Sequence, residues 1–126
     1  MISIKEYEEE RDFESIVESC RKEQWVRFYG PKKDWFRQAL KTSESYVAFV
    51  DEQYAGFVRA LTDGFFTIFC CEIIVEKEYR RQGVGKALLQ TLNDKYPSCV
   101  IDVISDNDAF YEANGFKVLA NGMRQF

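Results

Sequence analysis

The sequence predicts an α/β protein (an α+β mixed sheet) whose central sheet is mostly antiparallel, with flanking helices, and three observations support this class. Two strand-like runs, Tyr46–Val50 and Tyr54–Leu61, flank a polar turn, which is typical of an antiparallel hairpin. A longer apolar run, Phe65–Val75, predicts a buried strand. Between it and another buried run, Cys99–Ile104, lies a segment with helical spacing. The right-handed crossover rule makes those two strands a parallel β-α-β unit.

The N-terminal third supplies a strand and two helices. Apolar residues within 2–7 predict a short first strand. Asp12 is a candidate N-cap for the first helix. That helix has an apolar stripe at helical spacing, made of Phe13, Ile16, Val17 and Cys20. Gly30-Pro31 interrupts the aromatic segment that follows, and a second helix is expected over residues 33–40.

The second half adds details to the predicted sheet. A strand over residues 65–75 is longer than usual, so we expect a bulge or bend within it. Asp106 as N-cap and Gly115 just beyond the C-terminus predict a short helix. Asn121-Gly122 lies between two short strand-like runs within residues 116–126, a strong hairpin signal.

Composition narrows the function classes. The chain of 126 residues has a formal net charge of −4, which argues against a general nucleic-acid-binding protein. No apolar run approaches the length of a membrane span, and the acidic N-terminus does not resemble a secretion signal. We therefore expect one domain over residues 1–126, located in the cytoplasm, with neither nucleic acid nor a membrane as partner.

The absence of histidine restricts the chemistry that the chain can perform. It excludes the Ser-His and Cys-His nucleophile arrangements. The cysteines lack Cys-x-x-Cys spacing, so we expect no metal site and buried free thiols at Cys20, Cys70, Cys71 and Cys99. Catalysis must then use carboxylates, tyrosine, backbone amides or a bound cofactor.

The segment before the third helix is basic and contains two glycines, in the order Arg80-Arg81-Gln82-Gly83-Val84-Gly85-Lys86. A helix N-terminus presents N–H groups without intrahelical partners, and its dipole favours an anion. Glycines let a ligand approach the backbone, and the basic side chains add positive charge. These features predict a phosphate or pyrophosphate site. The alternative is a basic turn whose glycines serve only packing.

Two common phosphate loops do not fit this segment. A P-loop has four residues between its glycines, whereas one residue separates Gly83 from Gly85. A dinucleotide fingerprint needs a third glycine where this chain has Leu88. The remaining pattern, Arg-x-x-Gly-x-Gly from Arg80, resembles the acyl-CoA pyrophosphate loop of the GNAT N-acetyltransferase superfamily.

A second segment carries the same resemblance. The run from Phe110 to Phe116 is similar to the family's Tyr-Glu-Lys-x-Gly-Phe segment after the fifth strand. Two motifs in the expected order and secondary-structure positions are more specific than either alone. There are departures: Lys77 stands where the family often has proline, and the upstream asparagine of the family has no clear counterpart, Asn107 being the nearest.

The resemblance implies the GNAT acyl-CoA N-acyltransferase fold, acetyl-CoA as cofactor, and a bulge in the long strand that opens a slot for pantetheine. The implied cofactor-binding residues are Ile73, Ile74 and Val75 for the pantetheine arm, Arg80, Arg81, Gln82, Gly83, Val84, Gly85 and Lys86 for the pyrophosphate, and Asn107.

The resemblance also implies roles in acetyl transfer. Tyr111 would protonate the departing thiolate, since a phenol with an ordinary pKa of about 10 is protonated at neutral pH. A backbone N–H around Ile74 would stabilise the oxyanion. The acceptor pocket would be lined by Trp25, Phe28 and Tyr29. The alternatives are that Tyr111 is a packing residue and that the other three are core aromatics.

Glu72 is the candidate general base. Burial in an otherwise apolar strand disfavours the charged carboxylate, which suits a group that must accept a proton. Two alternatives stay open: a side chain on the solvated face of the sheet, or one paired with a neighbour.

We therefore expect an acetyl-CoA-dependent N-acetyltransferase that moves an acetyl group to a primary amine by direct attack in a ternary complex. The amine acceptor, a small molecule or a protein, has no readable sequence code, and homodimer formation stays open. Two other functions are compatible with the sequence. One is a non-catalytic acyl-CoA sensor or interaction module on the same fold, and the other is a structural domain whose glycine loop binds nothing.

Overall fold

The computed structural model describes residues 1–126. Its helices and strands follow the order β1 (Ile2–Glu6), α1 (Glu9–Lys22), α2 (Lys33–Thr42), β2 (Glu44–Val50), β3 (Gln53–Thr62), β4 (Thr67–Val75), α3 (Val84–Lys95), β5 (Val100–Val103) and α4 (Asp108–Ala113). Short 3₁₀ turns occupy Val26–Phe28 and Lys77–Tyr79.

The strands form one sheet in the spatial order β1-β2-β3-β4-β5. The first four are antiparallel to their neighbours, whereas β5 is parallel to β4. This arrangement confirms the mixed sheet and the parallel β4-α3-β5 unit that the sequence predicts. Because β4 and β5 run in the same direction, α3 must cross one face of the sheet to connect them.

Each face of the sheet is covered by helices. On one face, α3 buries Val84, Leu88 and Leu92 in a cluster with sheet residues that include Val58 and Ile68. On the other face, α1 and α2 pack against Val47 and Phe57 through Phe13, Ile16, Val17, Cys20, Phe36 and Leu40. The apolar stripe predicted for the first helix is therefore confirmed.

The first helix begins earlier than predicted. It starts at Glu9, and Asp12 lies inside it rather than at its N-cap. The Asp12 carboxylate reaches back to accept the Glu8 N–H at 2.9 Å, and it also pairs with Arg11. Asp12 therefore provides a hydrogen-bond acceptor for the N–H of Glu8, the N-cap residue, from the first turn of the helix. Residue type alone does not distinguish this role from that of an N-cap.

The fourth strand starts later than predicted. Phe65 and Phe66 belong to a turn, because the Asp63 carboxylate accepts the N–H groups of Phe65, Phe66 and Thr67 at 3.0, 2.9 and 3.1 Å. Local side-chain hydrogen bonds of this kind compete with strand pairing. The two aromatic side chains are consequently exposed, at 73% and 78%.

The predicted C-terminal hairpin is wrong. Residues 117–126 form no strand and no ladder with β5. An Asn-Gly pair specifies only a local turn, whereas a stable hairpin also needs an apolar face packed against other structure. Here the apolar side chains on both sides of the pair are exposed, namely Val118, Leu119, Met123 and Phe126.

Candidate active site

The site begins at a bulge in β4. Across the β3–β4 pair, Arg59 faces Glu72, but the next residue, Ala60, faces Cys70. Cys71 is therefore the extra residue, and the bulge expected in this strand is confirmed. On the other side of β4, pairing with β5 ends at Cys70, opposite Val103. The rest of β4, from Cys71 to Val75, thus separates from β5.

The bulge also changes which side chains face each helix layer. Before it, Ile68 and Cys70 pack in the cluster under α3; after it, Ile73 and Val75 do so, while Ile74 belongs to the α1–α2 layer. Strict alternation would place residues 68, 70, 72 and 74 on one face. The extra residue reverses this alternation, so Ile73 and Val75 line the α3 side of the opening.

The separated part of β4 presents backbone N–H groups to the opening. The Glu76 N–H donates to the Ala55 carbonyl on β3 at 2.8 Å. N–H direction alternates along a strand, so the Ile74 N–H also points to β3, whereas those of Ile73 and Val75 point to the β5 side. Among the N–H groups around Ile74, that of Ile74 itself therefore belongs to the β3 ladder, and those of Ile73 and Val75 are the ones directed away from β3.

A turn after β4 leads into the N-terminus of α3. Gly83 is the N-cap residue and has φ +89°, the left-handed region that favours glycine. The Ala87 N–H donates to the Gly83 carbonyl at 3.0 Å. The N–H groups of Val84, Gly85 and Lys86 therefore have no intrahelical acceptor, as at any helix N-terminus, and they lie beside the opening.

Gly85 is required for a different reason, which is close packing. A Cβ atom on Gly85 would lie 2.6 and 2.7 Å from two ring carbons of Phe110 and 3.6 Å from a methyl group of Val75. The absence of a side chain thus lets α3, β4 and α4 meet at one point. Each glycine therefore has a structural reason, since Gly83 serves the backbone turn and Gly85 serves packing.

The basic residues of the loop differ in their contacts. Arg80 donates through Nε to the Val75 carbonyl at 2.8 Å and through a terminal nitrogen to Glu23 at 3.2 Å. Gln82 donates to the Glu78 carbonyl at 3.1 Å and is not among the residues that line the opening. Arg81 and Lys86 are exposed, line the opening and take part in no ion pair of the chain. They are the free cations of the loop.

The opening is a cleft with a volume of about 770 Å³. It brings together most of the residues that the sequence predicts for cofactor binding: Ile73, Ile74, Val75, Arg80, Arg81, Gly83, Val84, Gly85, Lys86 and Asn107. Tyr111 and Trp25 line it as well. The sequence reasoning did not predict seven further lining residues, namely Glu23, Tyr79, Asp106, Ala109, Phe110, Ala113 and Asn114.

The helix that carries Tyr111 is short and is capped at both ends. Asn107, rather than the predicted Asp106, is its N-cap, and its side-chain oxygen accepts the Phe110 N–H at 3.3 Å. At the other end, the Phe116 N–H donates to the Tyr111 carbonyl and the Gly115 N–H to the Glu112 carbonyl, at 3.0 and 3.1 Å. With Gly115 at φ +89°, this is a Schellman motif, which confirms the predicted C′ glycine.

Aromatic packing then fixes the Tyr111 ring. Its centroid lies 5.0 Å from that of Phe110 and 5.3 Å from that of Phe116, both with edge-on geometry. The residue is 6% exposed. Burial raises the pKa of the phenol above its ordinary value, and Cys70 and Asp106 raise it further. Tyr111 therefore lines the cleft as a protonated phenol at neutral pH.

Glu72 has a partner that the sequence reasoning left as an alternative. Its two carboxylate oxygens accept hydrogen bonds from Arg59 Nε and a terminal nitrogen at 2.5 and 2.7 Å. Both side chains are largely buried, and Glu72 is not among the cleft-lining residues. The expectation of an unpaired carboxylate among apolar side chains is wrong, because the cross-strand register places a guanidinium opposite it.

The three aromatic residues proposed for acceptor binding separate into two environments. Trp25 lines the cleft. Phe28 instead stacks on Phe36, with centroids 4.5 Å apart, and Tyr29 packs under the Arg21 guanidinium at 4.8 Å, so neither lines it. For these two the core interpretation describes their contacts, since both also pack on the α1–α2 cluster.

The cysteine thiols are free, as expected, and Cys20, Cys70 and Cys99 are buried. The expectation of burial is wrong for Cys71, the extra residue of the bulge, which is half-buried. Burial raises the pKa of Cys20 and of Cys70 to about 12, so neither thiol is an activated nucleophile. No group of three or more Cys, Asp or Glu side chains is arranged to hold a metal ion. None of the helices combines the length and the apolar character that crossing a bilayer would take.

Comparisons with known proteins agree with this geometry. A family model described as an acetyltransferase (GNAT) domain matches residues 41–118. Peptidyl-lysine N-acetyltransferase YiaC of Escherichia coli K12 is 28% identical over 83 residues, which are 64% of this chain. The chain spans about half of that relative's length, 54%.

Solved structures with the same fold cover nearly the whole chain. A GNAT-family acetyltransferase, SP0256 of Streptococcus pneumoniae TIGR4, matches with a TM-score of 0.79 at 25% identity, over 100% of this chain and 98% of that one. PaiA N-acetyltransferase of Thermoplasma acidophilum, solved in complex with coenzyme A, matches with a TM-score of 0.70 at 21% identity, over 97% and 93% of the two chains. Since the family model covers more than half of the sequence, the chain belongs to the GNAT acetyltransferase family, which uses acetyl-CoA.

Proposed function

We propose that this chain transfers an acetyl group from acetyl-CoA to a primary amine by direct attack in a ternary complex. The observation that carries the proposal is the cleft itself. It joins a helix N-terminus with free N–H groups to a buried, protonated tyrosine, along a strand that a bulge has separated from its neighbour. These are the features that acetyl transfer from a pyrophosphate-containing thioester needs.

The residues at the cleft fit acetyl-CoA in two parts. Backbone N–H groups of Val84, Gly85 and Lys86, with the free cations Arg81 and Lys86, suit the pyrophosphate. The exposed edge of β4 beyond Cys71 suits the pantetheine arm, whose amides can pair with a strand edge as another strand would. Gln82, which bonds to the Glu78 carbonyl, has the weakest support among the predicted loop residues.

The chemistry follows from the same residues. Bound acetyl-CoA supplies the thioester that the amine attacks. The N–H groups of Ile73 and Val75 are the donors available to the carbonyl oxygen as negative charge develops on it. Tyr111, held protonated by its burial, gives its proton to the departing thiolate.

The mechanism also needs a group that accepts the proton from the amine. Glu72 stays our candidate for test, but its contacts with Arg59 favour a role in holding β3 and β4 together. A water relay is the competing route. Glu72→Gln, assayed where urea unfolding shows it to be folded, separates the two, because a general base would lose its function while a water relay would persist.

For the acceptor, we propose a lysine side chain on a peptide or protein as the first candidate. This rests on the likeness to the peptidyl-lysine N-acetyltransferase. Two structural neighbours are described as aminoglycoside acetyltransferases, with TM-scores of 0.74, so small amines form the second arm of a screen. A cytoplasmic location and a single domain remain predictions, and homodimer formation stays open.

The function is tested by calorimetric titration with acetyl-CoA, followed by thiol release with lysine peptides and aminoglycosides. Lys86→Glu should abolish binding by charge repulsion, while a glutamate in the first turn of α3 suits the helix dipole and leaves the fold intact. Lys117→Glu, outside the cleft, is the matched control and should bind normally. Absence of binding by the unmodified chain at millimolar acetyl-CoA would reject the proposal. Binding without turnover of any amine would favour the sensor alternative.

A further inference from the structure

Arg80 is held in a way that phosphate binding does not require. Its guanidinium bridges the carbonyl of Val75, the last residue of β4, and the carboxylate of Glu23, just after α1. The contact therefore joins the cofactor loop to the linker between α1 and α2. Arg81 and Lys86 line the same cleft, and neither has a carboxylate partner within the chain.

Glu23 and Trp25 lie on one rigid turn. Glu23 is the C-cap of α1, and Gln24 has φ +62°, the left-handed region. The Gln24 N–H donates to the Arg21 carbonyl and the Trp25 N–H to the Cys20 carbonyl, both at 3.0 Å. This is a Schellman motif, which fixes the residue two beyond the cap relative to the cap. A contact that holds Glu23 therefore also acts on Trp25, one of the aromatic residues that line the cleft.

The end of α1 is anchored independently. Glu76, only 12% exposed, accepts hydrogen bonds from Ser19 at 2.8 Å and Lys22 at 2.6 Å. Ser19 also bonds to the Tyr54 hydroxyl on β3 at 2.8 Å. Because these contacts already fix the helix to the sheet, the Arg80–Glu23 contact acts on the turn beyond the helix.

The position of Glu23 is electrostatically unfavourable in two ways. A negative charge near a helix C-terminus is repelled by the dipole. The carboxylate also lines a cleft whose other features favour an anion. The Arg80 guanidinium offsets both effects, and the pair is partly exposed, at 44% and 32%, so it contributes little to folding.

We propose that Arg80 and Glu23 are positioning residues that couple the cofactor loop to Trp25, and that Arg81, Lys86 and the loop N–H groups hold the phosphates. The inference rests on acetyl-CoA binding in this cleft. An anionic group at the loop attracts the Arg80 guanidinium, and its displacement is transmitted through Glu23 to Trp25. Coupling of this kind is reciprocal, so an acceptor against Trp25 changes the affinity for acetyl-CoA by the same factor.

The test uses the full chain with Trp35→Phe, which leaves Trp25 as the only tryptophan. Acetyl-CoA affinity is measured by calorimetry, and the Trp25 emission change is measured at saturation. Arg80→Gln removes a cation from the cleft and should weaken acetyl-CoA binding, but by less than Arg81→Gln does. Glu23→Gln removes an anion from the same cleft and should cause no loss of acetyl-CoA affinity. In each variant we expect the change in Trp25 emission to fall by more than about half. The double variant should show the same fall as either single variant, because both substitutions break the same contact.

Arg81→Gln is the matched control on the same loop. It should weaken acetyl-CoA binding about tenfold while keeping the full Trp25 change at saturation. The inference is overturned if Arg80→Gln weakens acetyl-CoA binding as much as Arg81→Gln does. It is also overturned if acetyl-CoA causes no change in Trp25 emission in the parent, or if the full change persists in Glu23→Gln and Arg80→Gln. In each of these outcomes the parent still binds acetyl-CoA, so the proposed function stands. Loss of all acetyl-CoA binding by the parent would instead remove the proposed function, and the inference with it.

Discussion

Arg59 and Glu72 illustrate how one residue's partner decides its role. They face each other across β3 and β4, with side chains 15% and 8% exposed. At such burial the desolvation of two charges offsets most of their attraction, so the pair itself adds little net stability. Removing one partner is different, since it leaves a buried charge without compensation.

Arg59→Leu and Glu72→Leu should therefore each lower the free energy of unfolding by about 3–5 kcal/mol. The double variant should lose much less than the sum, because it leaves no unpaired charge. Urea unfolding of the four proteins measures the difference. Additive losses would mean that the two side chains do not act as a pair.

Tyr111→Phe tests the residue that the proposed mechanism uses most directly. The ring and its packing against Phe110 and Phe116 remain, so acetyl-CoA affinity should be unchanged. The turnover rate should fall by about 10²–10⁴-fold, the usual contribution of a positioned acid. Stopped assays of thiol release provide the rate. An unchanged rate would show that another group protonates the thiolate.

At the scale of single elements, α4 depends on its ends. A helix of six residues is not stable alone in water, so its caps and the Tyr111–Phe116 contact must hold it. The Schellman motif at Gly115 therefore does more than end a helix. It holds Tyr111 and Phe116 together through the Phe116 N–H and the contact between their rings.

Gly115→Ala places a side chain at φ +89°, which should cost about 1–2 kcal/mol of stability and lower turnover. Gly64→Ala is the matched control, because Gly64 has φ +84° in the β3–β4 turn, outside the cleft. A Cβ atom at either glycine would meet no other atom within 4 Å, so the difference between them is position alone. Thermal melts should shift similarly, whereas only Gly115→Ala should slow acetyl transfer. Equal acetyl-transfer rates in Gly115→Ala and Gly64→Ala would show that the conformation at Gly115 does not affect catalysis.

At the scale of the whole molecule, tyrosine side chains are enclosed at separate places in the fold: Tyr7 and Tyr54 pack against the α1–α2 cluster, and Tyr111 packs against Phe110 and Phe116. Burial is the largest effect that raises the pKa of Tyr7 to about 12 and that of Tyr54 and Tyr111 also above its ordinary value. The folded state therefore keeps these phenols protonated at a pH where the unfolded chain has begun to ionise them.

The free energy of unfolding should consequently begin to fall as the pH passes about 8.5, where the unfolded thiols of Cys20 and Cys70 ionise, and fall more steeply as it passes 10, the ordinary tyrosine pKa. The sign follows because above that pH the folded state binds more protons than the unfolded state. Urea unfolding between pH 8 and 11 measures the slope, and Tyr54→Phe should reduce it. A slope unchanged by that substitution would assign the alkaline loss to other groups.

Residue type and spacing were enough to predict the class of fold. The hairpin pattern, the Phe65–Val75 run and the glycine loop before α3 are local signals, and together they define the order of the elements. Element ends were less predictable. The Asp63 carboxylate holds Phe65 and Phe66 in a turn by accepting their N–H groups. The residues on either side of Asn121-Gly122 form no strands, and their apolar side chains are exposed.

The sequence by itself determined the family, the mixed sheet, the glycine loop before α3 and the tyrosine segment, because each depends on residues that are close along the chain. Only the tertiary structure decided which of those residues act together. It put the extra residue at Cys71, so that Ile73 and Val75 turn their N–H groups to the cleft. It paired Glu72 with Arg59 and Arg80 with Glu23, contacts between residues 13 and 57 positions apart in the chain. Strand register and helix docking bring such residues together, and neither is written in local spacing.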